Sequence, residues 1–95
     1  MLKFILDLLN FINSILRVNK KVISAFLNSD EPLYIEELGR TARVNRLTAL
    51  KHAIRLTKLG YLKELYKKNS QLRLFQKIKP NSEFEKLFAF VEQHY

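Results

Sequence analysis

The chain is organised around Asn45-Arg46-Leu47-Thr48-Ala49-Leu50-Lys51-His52-Ala53-Ile54-Arg55-Leu56-Thr57-Lys58-Leu59-Gly60. At about 100° per residue, Leu47, Ala49, Leu50, Ala53, Ile54 and Leu56 fall on one broad arc of a helix, while Thr48, Lys51, Arg55 and Lys58 gather opposite, with His52 at their edge. One side suits a core and the other suits an anion. Asn45 predicts the helix start, because its side-chain oxygen accepts from first-turn amides, and Gly60 predicts the stop, because it enters the left-handed region without a Cβ penalty.

The surrounding charge sharpens that expectation. Of 95 residues, 17 are Lys or Arg and 9 are Asp or Glu, a formal net charge of +8. From Arg40 to Lys79 there are twelve basic residues against the single acid Glu64, a local net of +11; the other 55 residues hold five basic and eight acidic side chains, a net of −3. A solvated face that only keeps a protein in solution mixes both signs, so this concentration points to a polyanion, most simply nucleic acid. The length and the lack of a Gly, Pro or Ser tract predict one domain over residues 1–95, burying roughly 60 to 70% of its unfolded surface.

Upstream, Met1 to Leu16 is strongly apolar, and within residues 1–17 Lys3, Asp7, Asn10 and Ser14 recur at helical spacing as one narrow polar stripe. This predicts a helix buried on most sides, with Phe4, Ile5, Leu8, Leu9, Phe11, Ile12 and Ile15 forming a dimer interface. Asp7 interrupts the run, and the run falls short of the roughly 20 apolar residues of a membrane span, so neither a signal peptide nor stable membrane insertion is expected. Asn19 caps a second predicted helix ending at Asn28, whose apolar side is Val22, Ile23, Phe26 and Leu27, and the turn-forming run Asn28 to Pro32 ends it. A short edge strand at 33–35 and a helix from Ile35 to Ala42 follow.

Downstream, residues 61–67 and 72–78 read as two strands joined by a turn at Lys68-Asn69-Ser70-Gln71, with Leu72, Leu74, Gln76 and Ile78 alternating with Arg73, Phe75 and Lys77. Ser82 and Glu85 have the spacing of a capping box for a last helix over 81–95. Its apolar positions Phe84, Leu87, Phe88 and Val91 are expected to join the N-terminal helix in the dimer interface, since both terminal helices carry more apolar surface than one protomer of this length has room to cover.

The run Glu37-Leu38-Gly39-Arg40-Thr41-Ala42-Arg43-Val44-Asn45, with the stretch after it and Leu59-Gly60-Tyr61-Leu62, resembles the helix-turn-helix of winged-helix transcription regulators of the multiple-antibiotic-resistance and arsenic-responsive repressor type. Gly39 falls where that family places a tiny residue between two crossing helices, Val44 on its apolar turn residue, and Leu56, Leu59 and Gly60 on its leucine-then-glycine pattern before the wing. Arg43 departs from it, standing at a turn position that is often glycine. The resemblance covers residues 19–79 and implies a mainly α fold with a small β wing, a winged helix-turn-helix carrying extra N- and C-terminal helices.

It also implies a dimeric regulator of transcription on double-stranded DNA. Asn45, Arg46, Thr48, Lys51, His52 and Arg55 are the expected recognition-helix contacts, with Arg46 or Arg55 the guanine reader. Arg40, Arg43 and Lys58, and the wing residues Lys67, Lys68, Asn69, Gln71 and Arg73, would hold phosphates. Two rivals remain: an architectural protein that coats duplex through charge, and an interaction module using its apolar helices on a protein or a membrane surface. The chain has no cysteine, its two histidines, His52 and His94, are far apart in sequence, and the adjacent Glu36 and Glu37 point about 100° apart on a helix. No enzyme activity, metal or cofactor is therefore expected, and the expected setting is a microbial or host cytoplasm, associated with the nucleoid.

Overall fold

The computed structural model describes residues 3, 5–9, 18–65 and 72–93. These are mainly helical (63%) with a small three-stranded antiparallel sheet. Residues 5–9 are helical; then come α1 (Lys20–Leu27), β1 (Leu33–Tyr34), α2 (Ile35–Ala42), α3 (Arg46–Lys58), β2 (Leu62–Leu65), β3 (Leu74–Lys77) and α4 (Asn81–Gln93).

Each boundary has a local cause. Asn19 caps α1 by accepting the Lys21 N–H at 2.8 Å. At the start of α2 the Glu37 carboxylate accepts the Tyr34 backbone N–H at 3.2 Å. Asn45 caps α3 by accepting the Thr48 N–H at 2.7 Å. The end of α3 is a Schellman motif, in which Tyr61 N–H reaches Leu56 C=O, Gly60 N–H reaches Thr57 C=O, and Gly60 sits at φ +87°. Between α2 and α3, Arg43 adopts the left-handed conformation (φ 57°, ψ 46°), at the position the resemblance marks as often glycine. The turn is tight: Val44 N–H donates to Gly39 C=O at 3.0 Å, and a Cβ on Gly39 would lie 3.1 Å from Val44 O.

The last helix begins differently from the expectation. Glu83 and Phe84 N–H groups both turn back to Pro80 C=O, so α4 starts at Asn81, and Ser82 lies inside its first turn rather than capping it against Glu85. The proline carbonyl precedes the serine, and the helix nucleates on the earlier acceptor.

The sheet order is β1-β3-β2, with Leu33 opposite Phe75 and Leu62 opposite Lys77. Leu33, Leu62 and Phe75 are buried, whereas Leu72 and Ile78 are exposed. On β3 both faces are covered at this end of the strand: Phe75, from the set that carries Arg73 and Lys77, joins the core, and Leu74, from the other set, is buried as well.

The core joins α1 (Val22, Ile23, Phe26), α2 (Ile35, Leu38, Ala42), α3 (Ala49, Ala53, Leu56), the sheet, and α4 (Phe84, Leu87, Val91). Here the dimer expectation for the C-terminal helix is corrected. Phe84, Leu87 and Val91 are buried within one protomer, Phe84 edge-on to Tyr61 at 5.4 Å, and Phe88 is half-buried against the same core. α4 lies along α1 and shares its core. At the other end, Ile5, Leu6, Leu8 and Leu9 remain about half exposed, at 49–57%. Phe4, Phe11, Ile12 and Ile15 lie outside the described residues.

Candidate functional site

α3 is the most cationic helix described: Arg46, Lys51, Arg55 and Lys58 lie on it, and it has no acid. Its packing follows the expected arc except at Leu47. Ala49, Ala53 and Leu56 are fully buried, Leu50 and Ile54 are partly covered and pack against the same core, and Leu47 is 75% exposed. The two alanines four residues apart fill the most closed line of the helix, and the longer Leu50 and Ile54 reach the core from its edge while keeping one side open. The result is a mixed outer face. Leu47, Leu50, Ile54 and Leu59 form an apolar groove of about 560 Å³ with Lys51, Arg55 and Lys58 along it.

Arg40 and Arg43 extend the basic surface from the end of α2 and the turn, both exposed. With Glu36 and Arg46 they line a concavity of about 530 Å³, floored by Ile35, Gly39 and Val44. Arg40, Arg43, Lys51 and Lys58 make no ion pair among the described residues. Arg46 donates from Nε to Glu36 Oε1 at 3.0 Å, and this bond, with the Glu36 backbone amide and the charges of Arg46 and Arg40 behind it, holds the Glu36 carboxyl below its ordinary range.

Three expected contacts are engaged elsewhere. The Asn45 side-chain oxygen is the helix cap. His52 is half-buried, and its Nδ1 accepts the Asn19 backbone N–H at 3.3 Å, so it ties α3 to the start of α1 rather than pointing into solvent. Burial first, then the positive charges of Arg55 and Lys51, pushes its pKa below the ordinary histidine value. Arg73 donates Nε and Nη2 to the two Glu64 oxygens, each at 2.7 Å, across β2 and β3; this pairing lowers the Glu64 pKa and raises that of Arg73. Thr48 is half-buried. Lys67, Lys68, Asn69 and Gln71 lie outside the described residues.

Sequence reasoning passed over Leu47 as an outer-face residue and Glu36 and Glu64 as arginine partners. No sequence signal marked Glu36, which meets Arg46 only because the turn folds α3 back beside α2.

Among the described residues no group of three or more His, Asp or Glu side chains is placed to hold a metal ion, and no helix is long and apolar enough to cross a membrane. No protein-family model matches the chain, and no curated protein or solved structure matches it.

Proposed function

We propose that the chain is a winged helix-turn-helix protein that binds double-stranded DNA as a dimer and regulates transcription. The observation that carries this reading is the outer face of α3, where Lys51, Arg55 and Lys58 stand on an acid-free helix beside Arg40, Arg43 and Arg46. A duplex presents one phosphate charge per about 1.7 Å of axis, and a helix of this width fits the major groove. The order of α2, turn and α3 followed by an antiparallel pair of strands supports α3 as the recognition helix and β2 and β3 as the wing.

In this mechanism the N-terminal end of α3 enters the groove, with Arg46 and Lys51 near base edges. Leu47 at the same end supplies an apolar contact of the kind a thymine methyl accepts. Arg40, Arg43 and Lys58 hold phosphates, which sets affinity without reading sequence. The second copy docks through the N-terminal helix, whose Ile5, Leu6, Leu8 and Leu9 are left about half exposed by the protomer. The dimer then spans half-sites roughly 34 Å apart.

The test is selection from a random duplex library of about 30 base pairs, with salt raised from about 50 to about 200 mM between rounds. Enrichment of a palindrome with half-sites about ten base pairs apart is the expected result. Binding that collapses with salt and enriches nothing would assign the architectural role. No binding at low salt would leave the apolar groove along Leu47, Leu50 and Ile54 as the working surface, and the protein as an interaction module.

A further inference from the structure

Two acids lie against the basic surface, and each holds one arginine in a different way. Glu64 takes both Nε and Nη2 of Arg73, which occupies one whole edge of the guanidinium. Glu36 takes only Nε of Arg46, and its second oxygen, Oε2, is closed off from solvent with no hydrogen-bond donor. A guanidinium is planar, with five N–H groups in a fixed fork, so a bond at Nε orients the plane while the Nη1–Nη2 edge stays outside the ion pair.

Arg46 is the first residue of α3, the end of a recognition helix that meets base edges. Guanine O6 and N7 accept two parallel N–H bonds from an arginine. A long exposed side chain loses rotamer freedom when it makes that contact, and ordering it in advance removes part of the loss. We infer that Glu36 is a positioning residue that presents the Nη1–Nη2 edge of Arg46 to a guanine, so that an acid on the DNA-facing surface raises sequence specificity. This rests on the DNA-binding reading. Arg40 and Arg43, in the same concavity, offset the repulsion between Glu36 and the phosphates.

An acid that acted only through its charge would do the opposite, weakening binding to every sequence equally. The test therefore compares Glu36→Ala, Glu36→Gln, Arg46→Ala and the double variant Glu36→Ala/Arg46→Ala on the selected site, on that site with the contacted guanine replaced, and on random duplex. The NMR signal of Arg46 Nε–H in the free protein reports the clamp without DNA.

Wild type is expected to show a protected Nε–H signal and to discriminate the guanine roughly tenfold or more. Glu36→Ala should lose the signal and most of the discrimination while binding random duplex as tightly as wild type or more tightly. Glu36→Gln, which keeps an acceptor, should retain much of the preference, and the double variant should discriminate no worse than Arg46→Ala. If wild type selects a motif and Glu36→Ala keeps full discrimination with uniformly tighter binding, the positioning role is overturned and the DNA reading stands. If wild type selects no motif, the sequence-specific reading fails and this role fails with it.

Discussion

The two ends of the chain have the same kind of composition and opposite fates. In α4, Phe84, Leu87 and Val91 are sealed inside the protomer, whereas in residues 5–9 the apolar side chains Ile5, Leu6, Leu8 and Leu9 stay about half exposed. An apolar stripe states that a surface must be covered, without stating by what. The same contrast recurs within α3, between the buried line Ala49, Ala53 and Leu56 and the exposed Leu47, with Leu50 and Ile54 packed on the core but open on one side to the groove. In both places the inner set holds the fold together and the outer set is available to a partner.

The largest expected effect tests the ends. Phe84→Ala should remove about 3–5 kcal/mol of stability, measured by urea unfolding, a large share of the roughly 5–15 kcal/mol of a typical domain. Ile5→Asp with Leu9→Asp should leave the circular dichroism of the fold intact while light scattering falls to the mass of one chain. If instead those two changes unfolded the protein, residues 5–9 would belong to the protomer core and the contrast would be void.

Within α3 the same logic applies at smaller scale. Ala53→Leu forces a side chain into a closed helix crossing and should cost about 1–3 kcal/mol. Leu47→Ala, at a 75% exposed position, should move stability by no more than about 0.5 kcal/mol. It should nevertheless weaken DNA binding, since it strips the apolar contact from the N-terminal end of the helix. Equal unfolding midpoints with equal DNA affinities for Leu47→Ala and wild type would remove Leu47 from the interface.

Arg43 sets local strain against surface charge. A non-glycine residue at φ 57° costs about 1 kcal/mol, so Arg43→Gly should stabilise the fold by about that much. The same change should reduce affinity for all duplexes about equally and shallow the salt dependence by about one charge. A gain in stability with unchanged affinity would leave Arg43 as a structural oddity of the turn.

The smallest effect is the pH response of His52. Its folded pKa lies below its unfolded value, so across that window the unfolded chain binds more protons and stability falls as pH drops below about 6.5. The lowered carboxylates Glu36 and Glu64 lose their contribution only at more acidic pH, below their ordinary values, which separates the two windows. Unfolding at about one pH unit above and about one unit below the ordinary histidine pKa of about 6.5 should show a steeper decline toward acid in wild type than in His52→Gln. Equal declines would mean that the Asn19 N–H to His52 contact does not resist protonation.

Boundaries set by local chemistry were legible before any coordinates. Asn19, Asn45 and Gly60 act within one turn of the backbone, and the helix from Ile35 to Ala42 and the strand pair around Leu62 and Leu74 follow from their neighbours. What escaped depends on which face meets which neighbour. The exposure of Leu47 follows from where the other helices end along α3, the burial of Phe84 from its packing against Tyr61 and the shared core, and the Glu36–Arg46 pair from a turn that reverses the chain. The start of α4 is the exception, a local effect in which the Pro80 carbonyl, two residues before Ser82, takes the first amides of the helix.

The central claim is that the outer side of α2, the turn and α3 is where DNA binds. Titrating the isotope-labelled protein with the selected duplex and mapping amide chemical-shift changes tests it most directly. The account predicts the largest changes at Arg40, Arg43, Arg46, Leu47 and Lys51, smaller ones along β2 and β3, and almost none on α4 around Leu87 and Val91. Changes centred on α1 and α4, with α3 silent, would contradict it.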